Sequence, residues 1–190
     1  MLPTLARAVL RARGWRIEGT LPELPRFIVV VAPHTSNWDF IVGVGGLFAL
    51  DIDAHWFGKE SLFHGPLGWL MRRLGGRPVR RDIPDGVVTE MAAAVRAEPK
   101  FILALAPEGT RHQVDAWRTG FYHIARAADI PVVPVWFDWS RRVIGVHAPL
   151  RMTGALDADL RQLRALYHPS MARNPAGFWR DIPSDSPDLP

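Results

Sequence analysis

The sequence predicts an α/β fold: a single domain in which a largely parallel mixed sheet is flanked by helices. Three observations predict it. The stretches 27–32, 101–106 and 132–137 are short, continuous apolar runs, the pattern of strands buried on both faces. Segments with helical apolar spacing lie between them, and alternation of strand and helix builds a parallel sheet. Two of the runs are followed directly by polar clusters, 34–39 and 107–111. In such sheets function gathers on loops leaving the carboxyl ends of strands. With 190 residues, 48% of them hydrophobic, and no internal repeat or linker, the chain reads as one domain over 1–180. The closing stretch 181–190, rich in Pro, Ser and Asp, reads as a disordered tail.

Residues 3–13 form an amphipathic helix, with Leu2, Leu5, Val9 and Leu10 set against arginines. Such a helix suits a membrane surface and equally suits packing on the domain. Residues 15–18 alternate weakly, as a strand does, and the prolines of 21–25 make a turn. The first buried strand, 27–32, leads through Pro33 into a helix over 37–50, with Ser36 or Asn37 as its cap and Asp39 in its first turn. Residues 54–57 suit a strand. Residues 66–74 are apolar and aromatic, then basic, and fit either a core helix with a solvated end or a segment lying in a lipid interface. "GGRPVRR", 75–81, is a turn entering a short strand. A helix over 84–98 is stopped by Pro99. The strand at 101–106 is followed by a long polar loop, a helix over 121–128, strands at 132–137 and 143–147, and a last helix over 155–172.

The chain has no cysteine, which excludes disulfides, thiolate metal sites and cysteine nucleophiles. The formal net charge is +4, and of the 23 basic residues only Lys59 and Lys100 are lysines. Arg72, Arg73, Arg77, Arg80 and Arg81 crowd together without an acid among them, and Arg7, Arg11, Arg13 and Arg16 crowd the start. Arginine forks suit phosphate oxygens, so an anionic partner is expected. No nucleic-acid recognition signature accompanies these clusters, and no nucleic acid is expected. The longest apolar run, 40–50, holds three glycines and falls well short of the roughly 18 residues of a membrane span. No secretory leader is evident.

His34 and Asp39 stand five positions apart. Five helical steps rotate by about 500°, about 140° from alignment, and strand partners are an even number apart. The two side chains therefore meet only if the chain turns between them, as it does at a strand-to-helix corner. A histidine beside a carboxylate is a general-base arrangement, and equally an ordinary hydrogen-bonded loop. No G-x-S-x-G elbow and no His-Glu-x-x-His pair is present. Glu108, Gly109, Thr110 and Arg111 bring an acid, a hinge, a hydroxyl and a guanidinium into one loop, which suits a phosphate or an internal ion pair.

Together, four elements resemble the glycerolipid acyltransferase family, of which 1-acylglycerol-3-phosphate acyltransferase is the type member. They are the H-x4-D element His34 to Asp39, "GGRPVRR" with Arg81 at its arginine position, P-E-G-T-R at 107–111, and the V-P strand with Pro131 and Pro134. The phrase "FGKESLF" looks like the family's lysine-bearing segment, at Lys59. The resemblance implies a glycerol-3-phosphate acyltransferase-like fold. It implies that His34 deprotonates an acceptor hydroxyl, which attacks the thioester of an acyl-CoA or acyl carrier protein, while Asp39 orients His34. Glu108, Gly109, Thr110 and Arg111 would shape the acceptor site, and Arg81, Arg111 and Lys59 would hold a phosphate. No metal, cofactor or acyl-enzyme is expected; the acyl thioester is a co-substrate and the acceptor is of lysophospholipid type. Ala106, His112, Arg77 and Arg118 depart from the family pattern, which has an aromatic, a serine, an apolar residue and a lysine there. Two other readings stay open: a non-catalytic lipid-surface or anionic-ligand binder on the same scaffold, and a thioesterase or lipid hydrolase. The expected location is cytoplasmic, with peripheral contact to the anionic inner face of the cell membrane.

Overall fold

The computed structural model describes residues 2–79 and 87–180. Its elements in chain order are α1 (Leu2–Ala12), β1 (Arg16–Glu18), β2 (Arg26–Val31), α2 (Asn37–Leu50), β3 (Ala54–Lys59), α3 (Gly65–Arg73), β4 (Gly76–Val79), α4 (Val87–Ala97), β5 (Phe101–Leu105), α5 (Gly120–Ala128), β6 (Val132–Asp138), β7 (Val143–Val146) and α6 (Leu156–Arg164). Among the described residues the strands form one seven-stranded sheet in the order β1-β7-β6-β2-β5-β3-β4. Every pair is parallel except β6 with β7. This is the largely parallel mixed sheet that the sequence predicts.

The side-chain alternation of a strand sorts the core into two layers. On β2, Ile28 and Val30 face a cluster built with Ala92 and Val95 of α4, Phe121 and Ala125 of α5, and Leu160 and Leu163 of α6. Phe27 and Val29 face the other way, onto Leu10 of α1, Val42 and Ala49 of α2, and Val133, Val135 and Phe137 of β6. Both faces of β2 are thus dry, which is why it reads as an unbroken apolar run.

Helix α1 packs on α2 through Ala6 and Leu10, with Leu10 seated where Gly45 leaves room, and Arg7 donates to the Ala49 carbonyl at 2.7 Å. Leu2, Leu5 and Val9 stay exposed. The helix therefore packs on the domain by one edge and presents three apolar side chains outward. The 66–74 segment is the helix α3, which buries Gly68 and Met71.

One expected element is shorter than predicted. The last helix ends at Arg164, not near 172. Pro169 lacks an N–H and forces His168 into extended backbone (φ −131°, ψ 146°), so only a short 3₁₀ turn, Pro169–Met171, follows. The start of the helix predicted from 84, the end of the strand running to Arg81, and the 181–190 tail lie outside the described residues.

Candidate active site

The sheet order decides where the site forms. Strand β2 lies between β5 and β6, and all three run parallel. The loops leaving their carboxyl ends therefore open side by side, and they carry His34, Glu108 and Trp139 respectively.

The first loop turns as its spacing requires. Ser36 is the N-cap of α2 in extended backbone, and its hydroxyl accepts the Trp38 N–H at 3.2 Å. Asp39, three residues on, reaches back: its Oδ2 accepts the Ser36 N–H at 2.7 Å and the Thr35 N–H at 2.8 Å. This reciprocal capping box closes the corner. It leaves the Asp39 carboxylate buried at 1% exposure with Nδ1 of His34 3.6 Å from Oδ2. That distance is longer than a hydrogen bond. Oδ1 of Asp39 is taken by a residue from the loop after the neighbouring strand β6: the indole N–H of Trp139 donates to it at 2.7 Å.

His34 is half-buried. Burial lowers its pKa below the ordinary value, Asp39 opposes this, and the Arg111 guanidinium adds to the lowering. The imidazole is therefore neutral near pH 7, the state a proton acceptor needs.

In the second loop, Glu108 is 3% exposed. Its Oε1 accepts the backbone N–H of His34 at 3.0 Å, while Oε2 has no hydrogen-bond partner among the described residues. Desolvation raises its pKa to about 7, against the N–H donors of its own backbone and of His34 and helped by the Asp39 charge. Gly109 lies at φ +65°, a backbone conformation that favours glycine, and the Arg118 side chain closes over it, with Nε 2.6 Å from where a Cβ would stand. Thr110 Oγ1 accepts the His112 N–H at 3.4 Å. Arg111 and Arg118 are exposed, and neither makes an ion pair among the described residues.

Of the other predicted site residues, Lys59 ends β3, whose carboxyl end lies beyond β5 on the same sheet edge. Arg81 lies outside the described residues. The loop thus brings Glu108 and Gly109 beside His34 or Arg118, and Arg111 close enough to act on the His34 charge.

Several contributors were not picked out from the sequence. A C-terminal segment crosses both loops. Asn174 donates from its backbone to Thr35 Oγ1 at 3.1 Å and from its side chain to the Thr35 carbonyl at 2.9 Å. Gln113 donates to the Phe178 carbonyl at 3.0 Å, and Arg180 donates to the carbonyl of Val114 at 2.9 Å. The Arg173 guanidinium lies 4.4 Å from the Trp139 ring centre and 5.3 Å from that of Trp38. The only sequence signal for Trp139 is its place just past the carboxyl end of a buried strand.

Fold and site together define an α/β protein with a histidine and a carboxylate at the carboxyl edge of its parallel strands and arginines in the adjoining loop. This chain belongs to the acyltransferase family, whose sequence model matches residues 17–138. It is 26% identical over 147 residues to the 1-acyl-sn-glycerol-3-phosphate acyltransferase of Streptococcus pneumoniae (strain ATCC BAA-255 / R6), over 72% of this chain and 54% of that protein. The chain thus spans about half the length of that relative. It is 22% identical over 192 residues to the 1-acyl-sn-glycerol-3-phosphate acyltransferase of Haemophilus influenzae (strain ATCC 51907 / DSM 11121 / KW20 / Rd), over 89% of this chain and 78% of that one. Its fold matches the crystal structure of the 1-acyl-sn-glycerophosphate (LPA) acyltransferase PlsC from Thermotoga maritima with a TM-score of 0.61 at 21% identity, covering 85% of this chain and 72% of that one.

Proposed function

We propose that the protein transfers a fatty acyl group from an acyl thioester, acyl-CoA or acyl carrier protein, to a hydroxyl of a lysophospholipid, in phospholipid biosynthesis. The observation that carries this reading is the His34 imidazole 3.6 Å from the buried Asp39 carboxylate, in a chain that belongs to the acyltransferase family. In the reaction, the imidazole takes the proton of the acceptor hydroxyl. The oxygen attacks the thioester carbon, the tetrahedral intermediate collapses by breaking the C–S bond, and the imidazolium returns the proton to the departing thiolate. Asp39 orients the ring and stabilises the imidazolium. Arg111 and Arg118, with Lys59 and Arg81 through the family resemblance, supply cations for the acceptor phosphate. Glu108 fixes the position of His34 through its backbone.

The acceptor is a lipid, and no helix among the described residues is long and apolar enough to cross a membrane. Leu62, Leu67, Trp69 and Leu70 are exposed around α3, as are Leu2, Leu5 and Val9 on α1. These surfaces support peripheral contact with an anionic membrane face.

Incubation with acyl-CoA or acyl carrier protein and a panel of lysolipids and polyols, with products identified by mass spectrometry, tests the reading. An acylated lysophosphatidate is the expected product. Free fatty acid with no acylated acceptor would assign a thioesterase instead, and no turnover of any donor would assign a binding protein.

A further inference from the structure

We propose that Trp139 is a positioning residue of the reaction: its indole N–H holds the Asp39 carboxylate in the orientation that serves His34. The inference rests on the general-base reading of His34 given above.

The geometry is specific. Asp39 has two oxygens and two tasks. Oδ2 is committed to the Thr35 and Ser36 N–H groups and is the oxygen nearer His34. Oδ1 accepts from Trp139 Nε1 at 2.7 Å. With donors on both oxygens the carboxylate plane is fixed, and neither oxygen can swing away from the imidazole. An Asp39 held only by the capping box would keep helix α2 but lose that second constraint.

Trp139 is itself held firmly. It opens the turn between β6 and β7, where the buried Asp138 carboxylate accepts from Ser140 Oγ at 2.6 Å and from the Arg141 N–H at 3.0 Å. Its backbone N–H donates to the Met171 carbonyl at 3.0 Å. Trp15 meets its ring edge-on at a centroid distance of 5.0 Å, and Arg173 covers it at 4.4 Å. A ring packed this way by Trp15 and Arg173, on a tethered backbone, presents a fixed N–H to one oxygen. An indole used only for packing does not need a buried carboxylate at hydrogen-bond distance.

The charges facing the pair are few. His34 faces Asp39 from α2 and Arg111 from the loop after β5, and Asp39 also feels Glu108 from that loop. Arg173 lies behind the Trp139 ring. Removing the indole N–H leaves the Asp39 charge less compensated. The imidazolium of His34 is then better stabilised, and more base is needed to deprotonate it.

The test is Trp139→Phe, which keeps an aromatic ring against Trp15 and Arg173 and deletes the donor. The expected result is a fall in kcat of about tenfold, the size of one hydrogen bond to a charged group, with KM for donor and acceptor little changed. The acid limb of the kcat/KM profile moves to higher pH. A second measurement needs no activity. In the wild-type protein with its tryptophans labelled with nitrogen-15, the Trp139 indole resonance should follow the protonation of His34, and His34→Ala should abolish that step. A folded Trp139→Phe protein with unchanged kcat and an unmoved acid limb overturns the proposal. If the variant does not fold, an indole resonance that ignores the His34 titration overturns it equally. A wild-type protein that acylates no acceptor, yet shows the coupled indole titration, overturns the function while leaving the positioning intact.

Discussion

The backbone N–H of His34 donates to Oε1 of Glu108 at 3.0 Å, across 74 positions of sequence. This bond joins the two loops that the sequence marks as candidates and gives Glu108 a place under the histidine rather than in solvent. The carboxyl is almost fully buried, its second oxygen has no partner among the described residues, and desolvation pushes its pKa up to about 7.

A raised carboxyl pKa makes a definite pH signature. In the unfolded chain Glu108 ionises around its ordinary 4.5, whereas in the folded protein it holds its proton to about 7. The folded state therefore binds more protons between these values, and stability falls as pH rises through the window. At 1.36 kcal/mol for each pKa unit, the loss attributable to Glu108 is about 3 kcal/mol once pH has passed 7. Glu108→Gln keeps an oxygen for the His34 N–H and removes the titration. Urea unfolding of both proteins from pH 4.5 to 8 should show the variant gaining relative to wild type by that amount. Parallel pH profiles would show that Glu108 is ionised throughout.

The chemistry itself is tested at His34 and Asp39. His34→Ala should lower acyl transfer by about 10² to 10⁴ while leaving the fold intact, because the imidazole supplies general-base catalysis. Asp39→Asn should act in the same direction by losing control of the tautomer. It also removes an anion that raises the His34 pKa, so the residual activity should extend to lower pH. Near-native turnover by folded His34→Ala would rule out the mechanism.

How far these residues could be read in the sequence depends on how local their partners are. The corner holding His34 and Asp39 was legible because cap, turn and strand lie within one stretch, and a spacing of five forces a turn. The parallel sheet was legible because burial on both faces erases alternation, as in β2. Trp139 was not legible: it lies 100 positions from the carboxylate it binds, and adjacency of β6 to β2 is a property of strand order, not of either segment. The end of α6 was misjudged because the apolar spacing continues past Arg164, while Pro169 and the extended His168 stop the helix. The burial of Glu108 was equally hidden, since an acid in a polar loop reads as solvated until the next loop covers it.

Arg111 should have two separable effects. Its charge lowers the His34 pKa, so Arg111→Gln should raise that pKa and move the acid limb of kcat/KM to higher pH. As a phosphate ligand it should also contribute about 1.5 to 3 kcal/mol, roughly 10- to 100-fold in efficiency with a phosphorylated acceptor. Arg81→Ala should lower acceptor efficiency. Kinetics with donor and acceptor varied separately will distinguish these effects, and equal losses on both substrates would indicate a structural role.

The last prediction concerns the apolar surface of α3. Leu67, Trp69 and Leu70 are 53%, 67% and 42% exposed, while Gly68 and Met71 face inward. Arg72 is exposed and tied to the protein through Nη1, which donates to the Phe63 carbonyl at 2.9 Å, with its guanidinium 5.5 Å from the centre of the Phe63 ring; its other N–H donors are left for headgroups. Arg73 beside it is exposed as well. Contact with an anionic surface then combines burial of three apolar side chains with about 1 kcal/mol from each nearby basic residue. The electrostatic part is screened by salt, because the Debye length falls to about 8 Å at 0.15 M. Flotation with vesicles containing anionic lipid should recover the protein at low salt and less of it at high salt. The double variant Trp69→Ser, Leu70→Ser should lose binding under both conditions with little change in stability, because neither side chain is in the core. Arg73→Gln should weaken binding at low salt only, and Arg72→Gln should do the same while also lowering thermal stability through its lost bond to Phe63. A protein that stays wholly in solution with anionic vesicles at low salt would exclude α3 as a membrane contact and make a soluble acceptor the better reading.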